Sequence, residues 1–92
     1  MIRFLLLHEK DNVAVALSEA KCGDKGALSN GGTITIIDKI PFAHKISLRP
    51  LQKGDKIIKY GEVIGEATQD IAQGGHVHIQ NIRSLRQGAK KC

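Results

Sequence analysis

Two histidines open the case for chemistry. His76 and His78 stand two apart in the run Gly74-Gly75-His76-Val77-His78, and on a strand that spacing puts both on the same side. Neutral imidazoles so placed ligate a metal, and protonated ones hold a carboxylate. No cysteine or third histidine stands beside them in the chain. His44-Lys45 follows Pro41-Phe42-Ala43; free backbone N–H groups in a turn, an imidazole and an ammonium together suit a carboxylate or a phosphate. Lys59-Tyr60-Gly61-Glu62 joins a base, a phenol and an acid, and Tyr60 can donate a hydrogen bond to substrate or act as a general acid. The candidates are therefore His44, Lys45 and Tyr60 for catalysis, His44, Lys45 and Lys59 for substrate binding, and His76 and His78 for a metal. Each has a plainer reading as well: exposed strand histidines, a solvated Lys45 beside a His44 packed on Pro41, and a tyrosine packed at a rim. Asp11-Asn12 and Asp70 read as turn residues, although a carboxylate at Asp70 could join a metal site.

The elements that must position these residues are short. Apolar runs are β-branched and punctuated by glycine, which is strand patterning. Ile2–Leu7 and Val13–Leu17 read as strands joined by a polar turn, and Thr33–Ile37 is the clearest strand of all. The glycine-rich stretch 18–32 reads as loop, with a short helical turn at Ser18–Lys21. No segment sustains a 3.6-residue period for three turns, so the expected class is all-β. A rhythm recurs in the second half: Ile40-Pro41-Phe42-Ala43-His44-Lys45-Ile46, then Leu51-Gln52-Lys53-Gly54-Asp55-Lys56-Ile57, then Ile71-Ala72-Gln73-Gly74-Gly75-His76-Val77. Each is a tight turn between two buried anchors, with a small residue in the middle where the backbone needs positive φ or passes close to a neighbour. Gly61 and Gly65 bracket a further short strand, Glu62–Ile64. Three corners in so short a span predict a small folded-over sheet, not a long sandwich.

Composition narrows the function. The chain has 92 residues and a net charge of +5, room for one domain and one modest core. Arg83, Arg86, Lys90 and Lys91 fall in the last ten residues, leaving ten basic and nine acidic side chains before them. The basicity thus belongs to a tail, residues 83–92, behind a domain of residues 1–82. Three aromatic residues are too few for a base-stacking platform, so neither nucleic acid nor membrane is an expected partner. Cys22 and Cys92 form no disulfide framework and suit a reducing compartment. The apolar run before His8 is too short for a signal peptide or span, and the expected location is cytoplasmic. No Ser/His/Asp or Cys/His set and no phosphate-cradling loop is present. The residues thus describe a small β-module with an anion- or metal-facing patch that would not run a reaction unaided.

Three segments together carry a family resemblance. Pro41-Phe42-Ala43-His44-Lys45-Ile46-Ser47-Leu48, Ile58-Lys59-Tyr60-Gly61-Glu62-Val63-Ile64-Gly65-Glu66-Ala67 and Gly75-His76-Val77-His78-Ile79-Gln80-Asn81, in that order, resemble the SAF-type domain of the altronate/galactarate dehydratases. Asp11–Leu17 is similar to that family's opening. The resemblance implies a β-clip fold and a place among lyases that remove water from an aldonate or aldarate. It implies a separate large catalytic subunit as partner, a sugar acid as substrate, and a divalent metal (Fe2+, Mn2+ or Mg2+) shared with that subunit. His44, Lys45, Lys59, His76 and His78 would then complete or cover the large subunit's site. Two positions depart from the family pattern: Ala43 where glycine is usual, which matters if positive φ is required, and Gln80 where a third histidine often stands, glutamine being a weak ligand for transition metals. The small subunit of a sulfolactate sulfo-lyase, and a free-standing sugar-acid-binding module, are the alternatives; a homo-oligomer is a further expectation for the chain when isolated.

Overall fold

A computed structural model of the chain describes residues 1–85. Among them there is no helix, and nine strands form two sheets. The first sheet holds β1 (Ile2–Leu5), β2 (Val13–Ala16), β3 (Lys25–Leu28), β4 (Thr33–Thr35), β5 (Lys45–Ser47) and β8 (His76–Val77), in the order β4-β3-β1-β2-β5-β8. The second holds β6 (Lys56–Lys59), β7 (Glu62–Ala67) and β9 (Ile82–Ser84), in the order β6-β7-β9. The all-β expectation stands. The loop expected over 18–32 does not: it contains β3, paired in parallel with β1 through Arg3↔Ala27, and no helical turn occurs at Ser18–Lys21. The Glu62–Ile64 strand runs on through Gly65 to Ala67. β9 carries the fold to Ser84, and Arg83 pairs with Glu66, which also meets Lys56 across β7. The remaining tail cations Arg86, Lys90 and Lys91 lie outside the described residues.

The repeated corner occurs four times, not three. Gly23, Ala43, Gly54 and Gly74 hold the same place in it, with φ of 95°, 71°, 94° and 82°. In every copy the next residue's N–H closes a turn, donated by Asp24, His44, Asp55 and Gly75 to the carbonyls of Lys21, Pro41, Gln52 and Ala72. One buried residue then clasps each corner by two backbone bonds: Ile36, Ala16, Ala67 and Ser47 respectively. The first copy, Ala20–Gly26, escapes a sequence search because its anchors are Ala20 and Gly26. The Phe4 ring fills the missing volume; a Cβ on Gly26 would lie 2.7 Å from it. Corners join in pairs through the bridges Ala20↔Ile40 and Leu51↔Ile71. Two cores result, one around Phe4, Ile36, Ile40 and Ile46, the other around Val13, Leu51, Ile57 and Val77.

Asn12 is the joint between the two sheets. Only 1% exposed, it donates from Nδ2 to the Lys56 carbonyl and accepts at Oδ1 from the Ile58 N–H, both at 2.8 Å. Its own backbone N–H donates to the Ile58 carbonyl, so the side chain extends a ladder that the backbone alone would end. The expectation of a plain turn at Asp11-Asn12 therefore undervalued both residues.

Two stability changes follow from these geometries. Ala43 sits in the left-handed region, which costs a residue with a Cβ about 1–2 kcal/mol; glycine returns part of that as unfolded-state entropy. Ala43→Gly should raise urea-unfolding stability by about 0.5–1 kcal/mol, whereas Gly74→Ala should destabilise strongly, because its Cβ would collide with the Thr35 carbonyl oxygen. Asn12→Ala should cost about 2–4 kcal/mol by the same measurement, since it leaves the Lys56 carbonyl and Ile58 N–H without their partner.

Candidate functional site

The ladder between β5 and β8 assembles the site. Its register pairs Lys45 with Val77 and Ile46 with His76, so one further step sets His44 opposite His78. Residues directly opposite and diagonal across antiparallel strands are neighbours. The rings of His44 and His78 accordingly stack at 4.0 Å between centroids, and those of His44 and His76 at 5.1 Å. His76 and His78 share a side as their spacing predicted, with centroids 5.6 Å apart. Candidate ligand nitrogens of all three lie within 4.8 Å of one another. The histidine that completes the set stands 32 residues before His76 in the chain, which is why local spacing missed it.

Hydrogen bonds hold the rings in place. His44 Nδ1 and His76 Nε2 are 2.8 Å apart, and Gln80 Nε2 lies 3.0 Å from His76 Nδ1. With the Gln80 amide donating, His76 carries its proton on Nε2 and passes a hydrogen bond on to His44 Nδ1. The position where a third family histidine was expected thus supports His76 instead. Asn81, also buried, fixes the segment: Nδ2 donates to the His76 carbonyl at 2.7 Å, and Oδ1 accepts the His78 N–H at 3.0 Å. The Asp38 carboxylate accepts the His76 N–H at 2.9 Å. Asp70, the carboxylate considered for a metal site, instead accepts the Lys53 N–H. Asn81 and Asp38 are supporting residues that no sequence signal gave a role, since their targets are backbone groups.

Charge in this patch is positive and uncompensated. Partial burial, and then the charge on Lys59, lowers the pKa of the half-buried Lys45. Burial lowers the pKa of His76 as well, helped by His44, His78 and Lys45 and opposed by Asp38. His78 is lowered by burial, His44 and Lys45. Among the described residues, no carboxylate forms an ion pair with Lys45 or Lys59. Lys59 Nζ lies 5.4 Å from the Tyr60 ring centroid, and charge links Lys59 to Lys45 and Lys45 to His76 and His78. The lowered pKa values favour neutral imidazoles at His76 and His78 near neutral pH, beside cations that lack an ion-pair partner.

Residues 2–85 match the altronate/galactarate dehydratase SAF domain. The chain belongs to that family. It is 38% identical over 84 residues to altronate dehydratase of Bacillus subtilis (strain 168), covering 91% of this chain and 17% of that protein. It is 40% identical over 83 residues to altronate dehydratase of Escherichia coli (strain K12), covering 90% and 17%. Subunit alpha of (2R)-sulfolactate sulfo-lyase from Paracoccus pantotrophus is 47% identical over 47 residues, 51% of this chain and 70% of that one. This SAF domain therefore spans about a sixth of the altronate dehydratases it matches. No helix among the described residues is long and apolar enough to cross a membrane.

The lowered histidines set a sign for pH. A histidine whose folded pKa lies below its unfolded value is bound by more protons in the unfolded state across the interval between them. Stability is then present above about pH 6.5 and is lost as pH falls below it toward the folded pKa. The metal-free chain should melt at a lower temperature at pH 5 than at pH 7.5, and His76→Gln with His78→Gln should flatten that part of the profile in calorimetry.

Proposed function

We propose that this SAF domain is the small component of a sugar-acid dehydratase of the altronate/galactarate type. It works with a separate large polypeptide that carries most of the catalytic machinery, and the pair removes water from an aldonate or aldarate. The observation that carries this reading is the convergence of His44, His76 and His78 beside Lys45 and Lys59, cations with no carboxylate partner among the described residues. Phe42 and Ile79, in the same two segments as the histidines, are 66% and 82% exposed, which supports a face that another protein covers.

Dehydration removes a proton α to a carboxylate, stabilises the enediolate and assists departure of hydroxide. Lys45 and Lys59 supply the positive charge that holds a carboxylate. Their desolvation strengthens that hold once the face is covered. His44, which accepts from His76 at Nδ1 and so carries its proton on Nε2, is placed to give up that proton and take it back, and Tyr60 can donate a hydrogen bond to a substrate hydroxyl. Three converging imidazoles would fit a divalent metal in place of the His44–His76 hydrogen bond, with His44, His76 and His78 as its ligands and His76 carrying its proton on Nδ1 toward the Gln80 amide oxygen. An all-imidazole set suits Fe2+ better than Mg2+, which prefers oxygen donors, and Mn2+ falls between. Bound there, the metal would supply Lewis-acid stabilisation of a substrate oxygen.

A second reading has its own support. The sulfolactate sulfo-lyase subunit is matched over 70% of its length, so a relative of this SAF domain exists as a short separate chain. Recovery of the tagged chain from native extract with its partner, followed by assay on altronate, galactarate and (2R)-sulfolactate, separates the readings. Release of a 2-keto-3-deoxy acid, with turnover lowered about 100-fold by His44→Ala in a folded complex, is the expected result. Sulfite release would transfer the assignment to the sulfo-lyase reading. A chain recovered alone that binds sugar acids without turnover would make it a binding module.

A further inference from the structure

The tip of the β6–β7 hairpin is built in a disfavoured conformation. Tyr60 and Gly61 both have positive φ, 58° and 75°, between the paired residues Lys59 and Glu62. Two-residue turns of this kind are served without strain by Asn-Gly, and a bulky side chain in the left-handed region is a genuine outlier. Packing does not explain the tyrosine, which is 63% exposed. Strain retained at an exposed position is a mark of use.

What holds the tip comes from the β1–β2 loop. The Asp11 carboxylate, in a residue only 8% exposed, accepts the Gly61 N–H at 2.8 Å on Oδ1 and the Tyr60 N–H at 3.1 Å on Oδ2. Asp11 is itself tied down, its N–H donating to the His8 carbonyl at 3.0 Å. The His8 imidazole lies so close over Gly61 that a Cβ there would be 3.0 Å from the ring. Both N–H groups of the turn are thus met by one carboxylate, a charge-assisted pair of bonds. The two groups this tip presents are the Tyr60 phenol and, beside its ring, the Lys59 ammonium.

We propose that Asp11 is a positioning residue of the site: by holding Tyr60–Gly61 in the left-handed turn, it sets the Tyr60 phenol and the Lys59 ammonium where they meet a hydroxyl and a carboxylate of a polyhydroxy acid bound at the histidine patch. The ligand class rests on the function proposed above; the positioning does not. Tyr60 is the sole tyrosine of the chain, which has no tryptophan, so tyrosine emission reads this one side chain.

The experiment compares the full chain with its Asp11→Asn variant, which keeps the shape and one acceptor oxygen. Emission anisotropy of Tyr60, the amide resonances of Tyr60 and Gly61, and titration with galactarate are measured on both. The substitution should lower the anisotropy, move both amide resonances, leave the His44, His76 and His78 ring resonances in place, and weaken galactarate binding about tenfold. Tyr60→Gly added to Asp11→Ala should restore the turn, because glycine needs no clamp there, without restoring the affinity. Unchanged anisotropy and amide resonances in Asp11→Asn would overturn the positioning role, and unchanged galactarate affinity would overturn its bearing on the site. A wild-type chain that binds no galactarate would overturn the ligand named here, while the tip measurements still decide whether Asp11 holds the turn and the partner assay decides the functional reading.

Discussion

Each corner of this domain turns on one residue in the left-handed region, whose N–H and the following carbonyl are clasped by a single buried residue of another strand. The clasping residues Ile36, Ala16, Ala67 and Ser47 are nearly or fully inaccessible, so these bonds are shielded from water, and leaving either partner unmade would be costly. Because four corners share this constraint, the strands between them stay short and the apolar side chains divide into two small cores. The same constraint orders β5 against β8 and so brings His44 over His78. The site is in this sense a product of the turn geometry.

The patch that results is stable without being satisfied. Its imidazoles are supported by Gln80, Asn81 and Asp38, and among the described residues every buried side-chain nitrogen or oxygen has a hydrogen-bond partner. Lys45 and Lys59 nonetheless stand near each other with their mutual repulsion offset by no ion pair. Two cations near each other at a partly buried position make each costlier to keep charged. Phe42 and Ile79, in the segments that carry the histidines, are exposed as well.

The β1–β2 loop connects the two halves of the fold in two ways. Asn12 splices the sheets through a buried amide, and Asp11 reaches past it to the hairpin tip. Adjacent residues thus handle a structural joint and the geometry of Tyr60. Membership of the SAF-domain family places this module in a region that makes up 17% of the altronate dehydratases it matches.

Much was legible from residue order alone. The all-β class followed from β-branched runs and turn glycines, three of the four corners from their anchors and small central residue, and the shared side of His76 and His78 from a spacing of two. The family was readable because three local segments, each short, recur in a fixed order. What residue order could not supply was anything set by separation in the chain. The fourth corner was hidden because Phe4, from another strand, fills the place of its missing anchor. His44 joins its partners only through the β5–β8 register, and Asp11 and Asn12 act on residues more than 40 positions away. Local periodicity reports which way a side chain faces its own backbone; which distant backbone it meets depends on how the corners close, and that is decided only when the two cores pack.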